Sequence, residues 1–346
     1  MYFQAILLCA VILFSLFAAP LFQPAAQPVN KAKEIAVESS STGDLYSGFF
    51  EKFNAVKEVR TFGEFNLFNG QTAAMITGLT SGNVETDAEA KNNFTPDPDV
   101  AASLCNLINP DEVDAKAVLV KYQNPSTGSV VFEINLKKRW PIASLSKLMT
   151  SVIAAEKLDW NREVVMSEKA VDSDGIAGGF GIGEVFSVGD LIKAMLTVSS
   201  NDAAVAIAET LGENEFVDAM QSKASELRML QTTYLEPSGL SFVNQSTASD
   251  LAKLVDYIYQ NHPELLEISR QKETTIMELK TKRARTLINI NHFAGQPDFI
   301  GGKTGYIDEA GKNLASLFNI NGRIFLIVVL GSDDAFKMTN KLKQCI

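Results

Sequence analysis

Three short motifs follow one another along the chain, and their side chains could together carry out acyl transfer. They are Ser144-Leu145-Ser146-Lys147, Ser199-Ser200-Asn201 and Lys303-Thr304-Gly305. The set contains a hydroxyl that can be acylated, a base, a proton relay and an anchor for a carboxylate. The first motif alone is weak, since Ser269-Arg270-Gln271-Lys272 also matches it. The order of all three, each beside an apolar segment, predicts catalysis through a covalent serine ester.

The first motif is predicted to open a helix with an apolar face. Ser144 and Lys147 are three residues apart, so they share one side of that helix. Near a helix start the backbone N–H of Ser144 has no intrahelical partner and can point at a developing oxyanion. Lys147 can act as a base only when it is neutral. Burial and a second cation, for which Lys303 is the candidate, would both lower its pKa.

Strand patterns occur at both ends of the region that carries the motifs. Residues 117–120 and 130–132 form one strand, turn, strand pattern, and residues 314–318 and 324–330 form another. The second pair flanks Asn321-Gly322, which suits a tight hairpin turn because both of its positions need a positive φ. A closing helix is expected after the last strand, over residues 333–343.

The sequence between these strands is mostly helical. This order predicts an α/β chain of the α+β type, in which helices flank an antiparallel sheet completed by the two ends of the domain. A helical subdomain is expected to be inserted in the middle, with the catalytic motifs at the junction.

The motifs and their surroundings resemble the low-molecular-mass penicillin-binding proteins, and among them the D-alanyl-D-alanine carboxypeptidases. The resemblance covers about residues 110–346 and implies a β-lactamase/transpeptidase-like fold. It is carried by five segments, which are residues 124–128, 141–144, 199–203, 237–240 and 302–306.

The resemblance also assigns catalytic roles by position. It makes Ser144 the nucleophile, Lys147 its proton acceptor and Ser199 the relay to the leaving D-alanine. Asn201 would hold the substrate amide. Ser200 departs from the Ser-Asp-Asn version of the second motif.

Substrate binding is implied in the same way. Lys303 and Thr304 would bind the terminal carboxylate from an edge strand, and the N–H of Tyr306 would complete the oxyanion hole. Gly305 allows the substrate to approach the backbone closely. The implied substrate is a peptidoglycan stem peptide ending in D-Ala-D-Ala, with β-lactams as inhibitors and neither metal nor cofactor.

Two alternatives stay open on the sequence. A class A β-lactamase would need Ser-Asp-Asn and a deacylating glutamate in a Glu-x-x-Leu-Asn context, which Glu236 fits poorly. Penicillin is therefore expected to form a long-lived ester with Ser144. The second alternative is a catalytically silent, membrane-tethered penicillin-binding module, against which the intact motifs argue.

Other chemistries are disfavoured. No Gly-x-Ser-x-Gly elbow occurs, and His262 is predicted to end a helix while His292 is predicted to be structural, so a Ser-His-Asp hydrolase does not fit. The glycine-rich run 178–183 lacks the Gly-Lys-Ser/Thr ending of a phosphate-binding loop and is expected to be a loop at the rim of the site.

Composition narrows the classes further. The chain of 346 residues has 31 basic and 41 acidic side chains, a formal net charge of -10, without a basic cluster that would indicate nucleic-acid binding. Two histidines in no ligand pattern make a zinc site improbable. Of the three cysteines, at most Cys105 and Cys345 could pair, and the sequence leaves that pairing open.

The N-terminal third is predicted to be separate from the catalytic domain. Residues 1–23 form an apolar segment that we interpret as a retained transmembrane anchor in preference to a cleaved signal peptide. Residues 24–107 are predicted to be a spacer with a short amphipathic helix near 45–60. Residues 108–346 are then the catalytic domain, on the extracytoplasmic side of the bacterial cell envelope.

Overall fold

The computed structural model describes Cys105, residues 107–123 and residues 129–346. The predicted anchor at 1–23, the predicted helix near 45–60 and the turn at 124–128 lie outside the described residues, as does the spacer at 24–107 apart from Cys105 and Leu107. The domain boundaries stay a prediction. No helix in the described part of the chain combines the length and the apolar character that a membrane span requires.

The strands of the described region include one long antiparallel set and several short pairs. In chain order they are β1 (Ala117–Tyr122), β2 (Val130–Ile134), β3 (Trp140–Pro141), β4 (Glu163–Val165), β5 (Val185–Ser187), β6 (Gln245–Ser246), β7 (Glu273–Met277), β8 (Ala284–Ile288), β9 (Phe299–Ile307), β10 (Gly311–Ile320) and β11 (Arg323–Ser332).

Most of the helices lie between β3 and β7, as the sequence predicts for an inserted helical subdomain. These helices are α1 (Ser146–Lys157), α2 (Glu168–Val171), α3 (Val188–Thr197), α4 (Asn201–Glu209), α5 (Glu213–Glu226), α6 (Ala248–Asn261) and α7 (Pro263–Arg270). The closing helix, α8 (Ala335–Lys343), follows β11.

The main sheet has five strands in the order β2-β1-β11-β10-β9, and every neighbouring pair is antiparallel. Both ends of the domain therefore build it, which confirms the predicted architecture. The β10–β11 turn is also confirmed, because Asn321 and Gly322 have φ values of 53° and 80°. Strand β9, which contains the third motif, lies at an edge of the sheet.

The two faces of the sheet bury different sets of side chains, since successive residues of a strand point in opposite directions. On β11, Leu326 and Val328 pack into the core shared with the helical subdomain. Ile327 and Val329 pack on the other face, where α8 covers the sheet. The sheet is thus enclosed between α8 and the inserted helices.

A disulfide joins Cys105, which precedes β1, to Cys345, which follows α8. The two residues are 240 positions apart and their Cα atoms are 4.9 Å apart. Both side chains are buried in the core beneath α8. The structure thus decides a pairing that the sequence left open.

Helix α1 is deeply buried in the core shared with the main sheet. Its residues from Ser146 to Ala154 are all buried, polar ones included. The first motif spans the start of this helix: Ser144 belongs to a short 3-10 helix, Ala143–Leu145, and α1 begins at Ser146. Ser144 lies just before α1, and not within the helix as the sequence predicts. The nucleophile candidate therefore stands on a tight turn at the entry of a buried helix.

Candidate active site

The turn that carries Ser144 has an unusual backbone. Ala143, just before it, has a φ of 48°, in the left-handed region that residues with a Cβ rarely adopt. The Ser146 hydroxyl donates to the Ala143 carbonyl over 2.8 Å and holds this conformation. Ser199 of the second motif is also left-handed, with a φ of 62°. Strain of this kind is concentrated at functional sites.

Lys147 lies within hydrogen-bonding distance of Ser144. Its Nζ donates to the Ser144 hydroxyl over 2.9 Å, to Asn201 Oδ1 over 2.6 Å and to the Ser238 carbonyl over 2.5 Å. The side chain is fully buried. Burial lowers the pKa of Lys147 to about 7, although the charges of Glu236 and Asp202 act in the opposite direction. A sizeable fraction is therefore neutral near neutral pH.

Lys303 is the second buried lysine of the site. Its Nζ donates to the Ser199 hydroxyl and to the Thr304 carbonyl, both over 2.8 Å. Burial, and then the positive charge of Lys147, lower its pKa well below the ordinary value. The positive charge of Lys147 thus lowers the pKa of Lys303. The pKa of Lys147 is lowered by burial, as predicted, and not by Lys303.

The start of helix α4 adds an amide and a carboxyl to the site. Asn201 accepts from Lys147 through Oδ1, and its Nδ2 donates to the carbonyl of Asp174. Asp202 is 3% exposed, and its Oδ1 has no hydrogen-bond partner within the described residues. Burial raises the pKa of Asp202 to about 6, against the opposing effects of its own backbone N–H and, more weakly, of Lys147.

Strand β9 approaches the nucleophile turn at Gly305. A Cβ at this position would lie 2.8 Å from the Ile142 carbonyl oxygen and 3.1 Å from the backbone nitrogen of Ser144. Only glycine fits such a contact. Tyr306 follows with its ring 59% exposed and its hydroxyl donating to Asp308 over 2.7 Å.

A cavity of about 340 Å³ opens beside Ser144 and Ser199. It is also lined by Thr304, Gly305, Tyr306, Ile290, Lys312, Asn313, Leu314, Ala335 and Phe336. Most of the lining is apolar. Five of the eight predicted site residues therefore line this cavity, namely Ser144, Ser199, Thr304, Gly305 and Tyr306. The other three, Lys147, Asn201 and Lys303, are joined to Ser144 and Ser199 by hydrogen bonds, Asn201 through Lys147.

Sequence reasoning missed three neighbours of Lys147. The Ser238 carbonyl carries no signal in the sequence, because every residue has a carbonyl group. Asp202 and Glu236 were visible, the first beside Asn201 and the second as a poor match to a deacylating glutamate. Their proximity to a buried lysine depends on the packing of distant segments.

The two histidines and the glycine-rich run take no part in the hydrogen bonds of the two buried lysines. His262 ends α6, as predicted, and its ring lies near Glu156 and Glu264. His292 stacks on Phe336 with ring centroids 4.1 Å apart. The run 178–183 is a loop. Within the described part of the chain, no group of three or more His, Cys, Asp or Glu could hold a metal ion.

The fold and this cavity define the class of penicillin-binding and transpeptidase-fold proteins. Penicillin-Binding Protein D2 from Listeria monocytogenes, solved in an ampicillin-bound form, is 30% identical to this chain with a TM-score of 0.61. The match covers 69% of this chain and 99% of that chain.

Sequence comparison narrows the class to one family. The profile described as D-alanyl-D-alanine carboxypeptidase matches residues 105–334, and the chain belongs to this family of serine peptidases. A D-alanyl-D-alanine endopeptidase of Pseudomonas aeruginosa is 34% identical, with 65% of this chain and 73% of that protein covered. D-alanyl-D-alanine carboxypeptidase DacF of Bacillus subtilis is 32% identical over 60% of this chain and 55% of its own length.

Proposed function

We propose that this serine peptidase removes the terminal D-alanine of peptidoglycan stem peptides through an acyl-enzyme on Ser144. The observation that carries the proposal is the 2.9 Å contact between Lys147 Nζ and the Ser144 hydroxyl. Because the pKa of Lys147 is lowered to about 7, the amine is neutral often enough to accept the hydroxyl proton.

In the proposed acylation, Ser144 Oγ attacks the carbonyl of the penultimate D-alanine while Lys147 takes its proton. The negative charge on the tetrahedral oxygen is stabilised by the N–H groups of Ser144 and Tyr306. Ser199 gives its hydroxyl proton to the nitrogen of the terminal D-alanine, whose bond to the carbonyl carbon then breaks. Ser199 regains a proton from protonated Lys147, which returns to the neutral amine. Water hydrolyses the ester and restores Ser144.

The substrate is held from three sides in this proposal. Lys303 and Thr304 bind the terminal carboxylate, and Asn201 binds an amide of the stem peptide after releasing the Asp174 carbonyl. Gly305 leaves room for the peptide to lie against β9. Neither a metal nor a cofactor is needed, because the buried lysine supplies the base.

β-Lactams are expected to acylate Ser144 and to remain bound. Glu236, the glutamate compared above with a deacylating base, already accepts hydrogen bonds on both carboxylate oxygens, from Ser238, Gly239 and Ser241. Its carboxylate oxygens therefore serve as acceptors for donors of its own loop. This arrangement supports inhibition by penicillin over its rapid hydrolysis.

A second candidate function, cleavage of peptide crosslinks, is favoured by the extent of the cavity. Ile290 and Phe336 line the same cavity as Ser144 and Thr304, so we infer that space remains beside the proposed carboxylate site. A leaving residue larger than D-alanine could place its side chain there. The Pseudomonas aeruginosa relative is named an endopeptidase. Parallel assays on a pentapeptide and on a crosslinked dimer would separate the two activities.

We further propose that the domain works in the cell envelope, outside the cytoplasmic membrane, tethered by the apolar residues 1–23. The disulfide between Cys105 and Cys345 supports this location, because such bonds persist in oxidising compartments. Protease treatment of intact spheroplasts tests the proposal. Digestion of the domain from the outside, with a membrane-bound remnant, is expected, whereas protection would contradict it.

The central test is incubation of the purified full chain with a fluorescent penicillin, followed by intact-mass analysis. We expect a persistent adduct on wild type and none on Ser144→Ala, with D-alanine release from a pentapeptide showing the same dependence. Rapid destruction of the drug by wild type would favour a β-lactamase. An absence of both adduct and hydrolysis would favour the silent binding module.

A further inference from the structure

The carboxylate of Glu236 is the centre of a hydrogen-bonded loop, residues 236–244. Its Oε2 accepts from the backbone N–H and the hydroxyl of Ser238, over 2.6 and 2.5 Å. Its Oε1 accepts from the N–H of Gly239 over 2.6 Å and from that of Ser241 over 3.3 Å. An ionised carboxylate, which only accepts hydrogen bonds, suits this ring of donors.

The two residues that Glu236 holds most closely also contact the proposed machinery. The Ser238 carbonyl accepts from Lys147 Nζ over 2.5 Å. Gly239 lies so close to the nucleophile turn that a Cβ there would be 2.0 Å from the Ala143 carbonyl oxygen. The loop therefore packs against Lys147 and the nucleophile turn, and the hydrogen bonds of Glu236 fix the two residues that make these contacts.

A second connection runs from this loop to the strained backbone at Ala143. Asn244 Nδ2 lies 2.9 Å from the Glu236 carbonyl, 3.2 Å from its Oε1 and 3.0 Å from the Ser146 hydroxyl. The Ser146 hydroxyl in turn donates to the Ala143 carbonyl. A shift of Glu236 would therefore be transmitted to the turn before Ser144 along two paths.

The negative charge of Glu236 also acts on Lys147. Of the charges that oppose the effect of burial on the pKa of Lys147, Glu236 is the largest and Asp202 the second. The other titratable group beside Lys147 is Lys303, from strand β9, whose own pKa is lowered well below the ordinary value by burial and then by the charge of Lys147. Lys147 thus lies among two carboxylates and a second buried lysine, and Glu236 is the carboxylate that also fixes one of its hydrogen-bond acceptors.

We propose that Glu236 is a positioning residue, whose carboxylate holds residues 236–244 against the nucleophile turn and supplies negative charge to the surroundings of Lys147. This inference rests on the proposed acylation of Ser144. It assigns Glu236 no contact with substrate and no part in deacylation. Its role is to place the Ser238 carbonyl and Gly239, and to set the pH range in which Lys147 accepts a proton.

The test compares the rate constant of acylation by a fluorescent penicillin in wild type and Glu236→Gln, from about pH 5 to 9. Glutamine removes the charge and turns an amide N–H₂ towards donors, so the loop loses acceptors. We expect the plateau rate to fall at least about tenfold. The midpoint of the acid limb should move to lower pH by about half a unit or more, because a nearby negative charge no longer favours protonated Lys147.

Glu209→Gln is the matched control. Glu209 is likewise partly buried and accepts from a serine, Ser167 Oγ, over 2.7 and 3.0 Å, in contacts that include no site residue. This variant should keep the wild-type midpoint and plateau. A purely structural role for Glu236 would lower the plateau and leave the midpoint in place, so an unchanged midpoint overturns the proposal, and so does an unchanged plateau.

Glu236→Asp keeps the inference testable if the glutamine variant does not fold, as judged by near-ultraviolet circular dichroism. Aspartate retains the charge but withdraws it by one methylene from its donors, so a lower plateau is expected. If Glu236→Asp is acylated at the wild-type rate at every pH, the positioning role is contradicted. If wild type forms no adduct, the proposed function fails and this inference fails with it. If wild type forms the adduct and the variant does so equally fast, only this inference fails.

Discussion

Replacement of Gly239 by alanine should disable the site while leaving most of the fold intact. Gly239 has a φ of +85°, and its missing Cβ would lie 2.0 Å from the Ala143 carbonyl oxygen and 2.9 Å from the Ser144 nitrogen. The atoms in the way belong to the backbone of the nucleophile turn, so no side chain can rotate to relieve the clash.

The size of the effect follows from these distances. A Cβ is essentially never found closer than 3.0 Å to another heavy atom, so the turn and the loop must separate by about 1 Å. A displacement of about 1 Å at a reacting group can cost about 100-fold in rate. The left-handed backbone adds about 1–2 kcal/mol of strain for a residue with a Cβ.

Gly322→Ala provides the comparison. Gly322 has a similar φ of +80° at the β10–β11 turn, but no atom lies within 4 Å of its missing Cβ. Both variants should lose about 1–2 kcal/mol in urea unfolding through the shared backbone strain, and Gly239→Ala should lose more. Only Gly239→Ala should lose about 100-fold in the rate constant of acylation by penicillin.

The reasoning is refuted if Gly239→Ala acylates at a rate close to that of Gly322→Ala. It is also refuted if the two variants unfold at the same urea concentration, since the clash would then add no strain. A slow Gly239→Ala variant with near-native circular dichroism would place the damage at the nucleophile turn.

Three further predictions concern pH, the disulfide and the core. The acylation rate of Ser144 should rise as pH increases through about 7, because Lys147 accepts a proton only when neutral; a rate that is flat from about pH 6 to 8 would contradict its role as base. Cys345→Ser should lower the free energy of unfolding by about 5 kcal/mol in the chain-entropy model, since the bond to Cys105 closes a loop of 240 positions; reductant should then have no further effect in urea titrations. Phe318→Ala, at a fully buried ring on the α8 face of the sheet, should cost about 3–5 kcal/mol without changing the acylation rate of the folded protein.

Much of the architecture could be predicted because it depends on short-range patterns. The strands at both ends show apolar runs bounded by turn residues, and β1, β2, β10 and β11 form where those runs occur. The hairpin at Asn321-Gly322 needs only two residues that tolerate a positive φ. The closing helix was predicted within two residues, and the side chain of Asp334 caps it.

The chemistry of the site was visible in the sequence as residue types in a fixed order. Ser144 and Lys147 are close because they are three positions apart, and this contact is local. The contacts between Lys147 and Asn201, and between Lys303 and Ser199, join residues 54 and 104 positions apart. The family resemblance anticipated that these motifs would meet, but it could not supply their distances.

Only the tertiary structure decided what surrounds the nucleophile. The pKa of Lys147 depends on burial and on the charges of Glu236 and Asp202, which come from two separate segments. The Ser238 carbonyl that accepts from Lys147 is a group every residue carries. The strain at Ala143 arises where the turn, β9 and residues 236–244 converge. The same applies to the bond between Cys105 and Cys345. A sequence records residue types and short-range periodicity. Burial, the electrostatic effect of one charge on another and close contacts between backbones arise from segments that meet only in the folded chain.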